Sequence, residues 1–148
     1  MKKIYSILFV SFLLAGCSKD FLKSYENRIE GVWRLVDVDR RGFGGSISQL
    51  PFQSGQFTFR DGGQLDYQDD AGNLYEGSWD IRREWVSGNC NGNNCDDRQV
   101  KALNIVAINF LTQEIRSEYF EEMQFTGTDR FNAYIYSGAH TYIFRFRR

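Results

Sequence analysis

The stretch QFTFRDGGQLDY, Gln56–Tyr67, decides the fold of this chain. Apolar and polar residues alternate in each half of it, as they do in a strand that buries one face. Asp61-Gly62-Gly63 separates the two halves, and aspartate and glycine adopt the backbone angles that tight turns require. The stretch therefore predicts two antiparallel strands joined by a turn.

The same alternation continues through most of the chain after residue 29. Aromatic residues make up 16% of the sequence and proline occurs once, a composition that favours strands. The pattern predicts further strands within 29–39, 75–81, 100–110, 118–126, 130–136 and 140–147. Residues 113–120 could instead form a helical turn. An open sheet of about eight strands would leave two exposed edges, and closure removes them. We therefore predict an all-β fold, an antiparallel up-and-down barrel of about eight strands.

The first residues have the pattern of a secretory signal peptide. Lys2 and Lys3 precede a largely apolar run, Ile4–Leu14, and small residues follow. The run is too short for a permanent membrane-spanning helix, which needs about 20 residues. The sequence therefore predicts export from the cytoplasm.

The stretch LAGC, Leu14–Cys17, resembles the lipobox of bacterial lipoproteins. The resemblance implies that the Cys17 thiol is acylated, that the chain is cut before Cys17, and that the new amine is also acylated. Ser18 in the second mature position resembles the sorting pattern for the outer membrane. The resemblance thus implies a lipid anchor in the outer membrane, with the domain on the periplasmic face or at the cell surface.

These predictions divide the chain into a signal peptide, residues 1–16, a lipidated tether, residues 17–28, and one domain, residues 29–148. Loss of Lys2 and Lys3 leaves 16 basic side chains against 19 acidic ones. The mature chain carries no basic stripe of the kind that binds nucleic acid. We expect a membrane as one partner and no nucleic acid.

Four residues separate Cys90 from Cys95 in a loop rich in asparagine and glycine. In an oxidising compartment such a pair favours a disulfide across the loop. A zinc site that also uses Asp96 and Asp97 is an alternative, because thiolates and carboxylates both bind zinc. Two free thiols are the third interpretation.

Gly31-Val32-Trp33 resembles the Gly-x-Trp motif that opens lipocalin barrels, and Gly77-Ser78-Trp79 repeats it in mid-chain. The resemblance implies that Trp33 closes one end of the barrel. It also implies that an arginine of the last strand, Arg145 or Arg147, lies across the indole in a cation–π contact.

We expect any ligand pocket at the barrel end away from Trp33. The candidate residues are aromatic side chains and one carboxylate, namely Tyr67, Tyr75, Trp79, Tyr119 and Glu121. The two-residue period from Tyr119 sends Glu121 inward with it, where a carboxylate would orient a polar ligand group. Glu121 could instead lie in water at the barrel mouth, or on the outer face.

The residues show no arrangement typical of catalysis. His140 is the one histidine, which we place in a solvated turn, and the glycine-rich stretch 42–45 lacks the lysine of a phosphate loop. We therefore expect no enzyme activity, no metal and no cofactor. Two functions remain: a barrel that binds a small, partly apolar ligand, or a filled barrel that serves as a structural or interaction module of an envelope complex. A pocket of about 300 Å³ or more would favour the first.

Overall fold

A computed structural model describes residues 24–86 and 97–148, and the backbone of two short strands between them, Cys90–Asn91 and Asn94–Cys95. The predicted signal peptide and Cys17 lie outside the described residues. Among the helices that are described, none combines the length and the apolar character needed to span a bilayer.

The described chain begins with one short helix, α1, over Tyr25–Ile29, which Ser24 caps by accepting a hydrogen bond from the Asn27 amide. The helix therefore occupies most of the second half of the predicted tether. Two 3-10 turns lie at Ile47–Gln49 and Asp61–Gly63. The strands are β1 (Gly31–Gly42), β2 (Gly55–Phe59), β3 (Gln64–Gln68), β4 (Leu74–Val86), β5 (Cys90–Asn91), β6 (Asn94–Cys95), β7 (Arg98–Asn109), β8 (Glu114–Phe120), β9 (Glu122–Phe125), β10 (Arg130–Ser137) and β11 (His140–Arg147).

Within the described residues, nine antiparallel strands form one sheet in the order β8-β7-β4-β3-β2-β1-β11-β10-β9. Neighbours in the sheet are mostly neighbours in sequence, so the connectivity is up-and-down. The all-β prediction is confirmed, and Glu114–Phe120 is a strand rather than a helical turn. The short strands β5 and β6 form a separate hairpin.

The sheet is not closed into a barrel, so that part of the prediction is not confirmed. No ladder of backbone hydrogen bonds joins the edge strands β8 and β9 in the described chain. These edges are nevertheless consecutive in sequence, since only Glu121 separates them. The first part of this run pairs with β7 and the second pairs with β10. One continuous stretch of chain thus forms both edge strands, and its pairing partner changes at Glu121 from β7 to β10.

Aromatic side chains fill the space that the curved sheet encloses. Phe131 stacks on Phe146 with ring centroids 4.4 Å apart, and Phe120 packs edge-on against Phe144 at 4.9 Å. Phe57, which is fully buried, extends this packing to the neighbouring strands. Aromatic rings bury large areas and prefer such stacked and edge-to-face contacts. The interior is therefore a packed core.

Helix α1 closes one end of this core over Trp33, which is fully buried. The indole nitrogen donates a hydrogen bond to the Ile29 carbonyl at 2.5 Å. The guanidinium over the indole belongs to Arg148, whose Cζ lies 4.4 Å from the ring centroid. Arg148 also donates to the Arg28 and Glu30 carbonyls, at 2.8 and 2.5 Å. A cation that joins the helix to the core thus covers this end, called the helix end below.

Arg145 and Arg147 do not occupy that place. Phe144 and Phe146 point inward, so the residues next to them point outward. Arg145 pairs with Asp37 and Asp39 on the outer face, and Arg147 is exposed. Because the side chains of a strand alternate, an arginine on the inner face has to be Arg148.

Gly77 of the second Gly-x-Trp is required by a close approach between two strands. It pairs with Ala107 across β4 and β7, and a Cβ built at Gly77 would lie 1.9 Å from the Val106 carbonyl oxygen. A backbone atom cannot move aside as a flexible side chain would. The motif therefore combines a glycine for strand contact with a buried tryptophan, Trp79.

We expect Gly77→Ala to lower the free energy of unfolding by about 1–3 kcal/mol, as forced packing in a filled core does. Ser78→Ala, one residue along on the exposed face, is the matched control and should change stability by less than about 0.5 kcal/mol. Urea unfolding followed by tryptophan fluorescence measures both. Equal midpoints for the two variants would contradict the close approach.

Candidate functional site

Two of the predicted ligand residues, Tyr67 and Tyr75, lie together at the end of the sheet remote from α1, called the remote end below. Both side chains are buried, and their ring centroids are 5.3 Å apart. The Tyr67 hydroxyl donates to the Ser54 carbonyl at 3.0 Å. The two phenols therefore line the region where the sequence predicts a pocket.

Trp79 does not join them. It lies towards the helix end, where its indole nitrogen donates to the Arg60 carbonyl at 3.0 Å and its ring packs edge-on against Phe59. Phe59 in turn pairs with Gly31 at the start of β1. Four residues along an extended strand separate Trp79 from Tyr75, and this places them at opposite ends of the core.

Tyr119 and Glu121 also lie elsewhere. Phe120 is the buried residue of this segment, so Tyr119 points outward with 41% of its surface exposed. Glu121 accepts a hydrogen bond from the Tyr136 amide on the neighbouring strand. A two-residue period from Tyr119 fails here because the pairing partner changes between β8 and β9.

Arg116 on β8 organises the remote end. Its guanidinium carbon lies 4.6 Å from the Tyr75 ring centroid and 5.8 Å from that of Tyr67. Its nitrogens lie 2.8 Å from the Glu114 carboxylate and 3.6 Å from Asp69. A cation over two aromatic faces and between two carboxylates holds β8 against β3 and β4.

The two carboxylates remain charged at neutral pH. Hydrogen bonds from Arg116 and from the Tyr75 hydroxyl, 2.9 Å away, hold the pKa of Glu114 below its usual value. Burial together with the same hydrogen bond raises the pKa of Tyr75 to about 12. Burial would raise the pKa of Asp69, but hydrogen bonds from Asn73 and the charge of Arg116 lower it overall.

An open cleft of about 450 Å³ lies beside this network, and we call it the remote cleft. Its walls include Pro51, Tyr67, Asp70, Glu114 and Arg116. Asp70 lies 3.6 Å from the exposed Arg34 at the rim. Among the described residues around the remote cleft, three carboxylates face two guanidinium groups, so the surface has a slight negative excess.

Four exposed apolar side chains lie at the start of β4 and around the connection from β7 to β8, and we call them the apolar knob: Leu74, Phe110, Leu111 and Ile115. They are 66%, 69%, 96% and 64% exposed. Ile115 also lines the remote cleft, so the two surfaces are continuous. Contiguous apolar surface of this kind is typical of interaction sites.

A second charged group lies on the outer face, where β7 meets β9. Glu122 is only 3% exposed, and its two oxygens accept hydrogen bonds from the Arg98 guanidinium at 2.8 and 2.6 Å. The Tyr136 hydroxyl donates to the same carboxylate at 2.8 Å. Burial would raise the pKa of Glu122, but these hydrogen bonds and one from Gln124 lower it overall. The bidentate pair joins the two strands where they form no ladder.

Sequence reasoning missed Arg116, Glu114, Arg98 and Glu122. Arg116 has the same parity as Phe120, so inward alternation along β8 could have indicated it. Arg98 and Glu122 are 24 residues apart, and no local sequence pattern predicts their pairing. The buried carboxylate of this segment is Glu122 rather than the predicted Glu121.

Cys90 and Cys95 lie directly opposite each other in the β5–β6 hairpin. Their side chains are outside the described residues, so the disulfide stays a prediction. His140 is partly buried and packs edge-on against Tyr142 at 4.8 Å, instead of lying in a solvated turn. Within the described part of the chain, no three of the residues His, Cys, Asp and Glu come together as a metal site would require.

Comparisons with known proteins gave no match: no family model, no curated protein and no solved structure matches this chain. The resemblances to bacterial lipoproteins and lipocalins therefore stay interpretations of the motifs.

We expect Glu122→Gln to lower the free energy of unfolding at pH 7 by about 1.5–3 kcal/mol, the range for hydrogen bonds to charged groups. The pKa of Glu122 lies below its ordinary value of 4.5, so the charged form stabilises the fold above that pH. This contribution is lost as the pH falls through the lowered pKa of the folded state. The difference between wild type and variant should therefore shrink in urea titrations below pH 4.5.

Glu118→Gln is the matched control, because burial without a cationic partner raises the pKa of that carboxyl. A raised pKa means that the charged form is the less stable one, so the variant should equal or exceed the wild type at neutral pH. As the pH falls, the free energy of unfolding of the wild type should rise relative to that of this variant. A Glu122→Gln difference that does not change with pH would contradict the role of the ion pair.

Proposed function

We propose that this protein is a non-enzymatic lipoprotein of the bacterial envelope, anchored in the outer membrane through Cys17, and that its remote end binds another protein. The observation that carries the proposal is a filled interior combined with an exposed apolar knob and a charged cleft at one end. Helix α1, to which the tether leads, lies at the opposite end.

The packed interior favours an interaction module over a barrel that holds a ligand inside. Trp33, Phe57, Phe120, Phe131 and Phe146 are each no more than 1% exposed. Their rings contact one another across the sheet, and a ligand in the middle would have to displace them. A protein with such a core presents its binding groups on the surface.

We also propose that the sheet behaves as a lipocalin-like barrel, although no ladder closes it. The support comes from the single run of chain that provides both β8 and β9, and from Arg98 and Glu122 across the gap. In this view the ion pair replaces backbone hydrogen bonds at the seam.

A second candidate function is the binding of a small, partly apolar ligand in the remote cleft. Its volume of about 450 Å³ exceeds the size at which a pocket holds a small molecule. Tyr67 and Ile115 would provide apolar surface, and Arg116 and Glu114 would orient a polar group. A native mass spectrum of the protein purified from its host, with or without a retained molecule, distinguishes the two functions.

We expect Cys17→Ser to move the protein from the membrane fraction to the soluble fraction, because acyl chains are needed to hold it on the bilayer. Cell fractionation with a carbonate wash measures this. Ser18→Ala, which leaves the acceptor thiol in place, is the control and should stay with the membranes. The anchor proposal is wrong if the Cys17→Ser protein resists the wash.

We expect a photo-crosslinking amino acid at Phe110 to yield a discrete adduct with an envelope protein, and the same group at Asp129 to yield none. Asp129 is exposed at the helix end, where its carbonyl accepts a hydrogen bond from the Arg148 amide. Leu111→Asp should abolish the adduct while changing the stability by no more than about 0.5 kcal/mol, because Leu111 is 96% exposed. Equal labelling from both positions would contradict the proposal.

A further inference from the structure

The paired strands β4 and β7 continue beyond their pairing with β3 and β8 as a two-stranded segment, called the arm below and defined as Arg82–Val86 and Arg98–Ala102. The two segments pair from Arg82 with Ala102 to Val86 with Arg98. β8 pairs with β7 only from Leu103 onward. The β7 segment of the arm lies beside β9 instead, where Arg98 binds Glu122.

An exposed tryptophan lies on this arm. The chain has three tryptophans, all within the described residues, and Trp33 and Trp79 are 0% and 6% exposed. Trp85 is 71% exposed, and Val86 next to it is 37% exposed. Burial of a large apolar ring is more favourable than its exposure to water, so Trp85 is a candidate contact residue.

The face of the arm that carries Trp85 also carries two cations, whose charges help to lower the pKa of Glu26 in α1. Side chains alternate along a strand, so Arg83 shares this face with Trp85, and Lys101 lies directly across from Arg83. Lys101 reaches to 5.6 Å from the Tyr25 ring of α1. Trp85 and two cations therefore lie beside the helix to which the tether leads.

The tether limits how far this face can lie from the bilayer. Seven residue steps separate Cys17 from Ser24, and a fully extended chain covers about 25 Å in that number. Tryptophan rings favour the level of the lipid headgroups, and Lys and Arg side chains are attracted to an anionic surface. The exposed aromatic ring, the two cations and the short tether are thus all consistent with a contact between this face and the bilayer.

We propose that the Trp85 face of the arm rests on the surface of an anionic membrane and so orients the domain with its remote end outward. The inference rests on the proposed anchor at Cys17. A lipid surface explains the combination of an indole and cations beside the tether, and it needs no partner pocket.

The test uses the full lipidated chain in vesicles of phosphatidylethanolamine and phosphatidylglycerol with brominated acyl chains, which quench tryptophan on contact. We expect strong quenching for the wild type and little for Trp85→Phe, whose remaining tryptophans are buried. Arg83→Glu with Lys101→Glu should reduce quenching in these vesicles, whereas Arg41→Glu, at the opposite end of β1, should not.

Flotation of the same samples separates the inference from the anchor. If the protein floats with the vesicles but its fluorescence is not quenched, the anchor stands and the membrane contact of Trp85 is wrong. Quenching that persists in Trp85→Phe also overturns the inference. If the wild type does not float, the anchor fails and the orientation fails with it. A contact made by Trp85 with a protein instead would leave the vesicle samples unquenched.

Discussion

The packing of aromatic rings inside the sheet is the interaction on which the rest of this structure depends. Phe131 and Phe146 stack at its centre, and Trp33 closes it at the helix end. Rings of this size contribute large buried areas, and they contact one another across the inside of the sheet. The side chains inside the sheet stabilise the fold, so we look for the groups that bind a partner on its outer surface.

Three arginine side chains join parts of the fold that backbone hydrogen bonds do not connect. Between β7 and β9 the strands form no ladder, yet the half-exposed Arg98 and the buried Glu122 meet in a bidentate pair. At the helix end, Arg148 contacts both α1 and the Trp33 ring. At the remote end, Arg116 bridges three strands. Arginine serves at all three places because its planar fork both stacks on rings and binds oxygens.

The two ends of the domain differ in a way that suits a tethered protein. The helix end carries the start of the described chain and the arm with Trp85, and the remote end carries the apolar knob and the remote cleft. A protein held by a short tether presents one end to the membrane and the other to its surroundings. This division gives each exposed apolar surface a different proposed partner.

The sequence by itself determined most of the strands, their antiparallel order and the burial of Trp33, because alternation and turn residues are local properties of the chain. It predicted one strand over 118–126, where the structure has the end of β8 and all of β9. It also brought Tyr67 and Tyr75 into one predicted site. It could not place Glu121, since the change of pairing between β8 and β9 depends on which strands lie on either side. Only the tertiary structure decided that Arg148 covers Trp33, that Glu122 is the buried carboxylate and that the sheet remains unclosed. These outcomes depend on contacts between residues far apart in the chain, which no local pattern encodes.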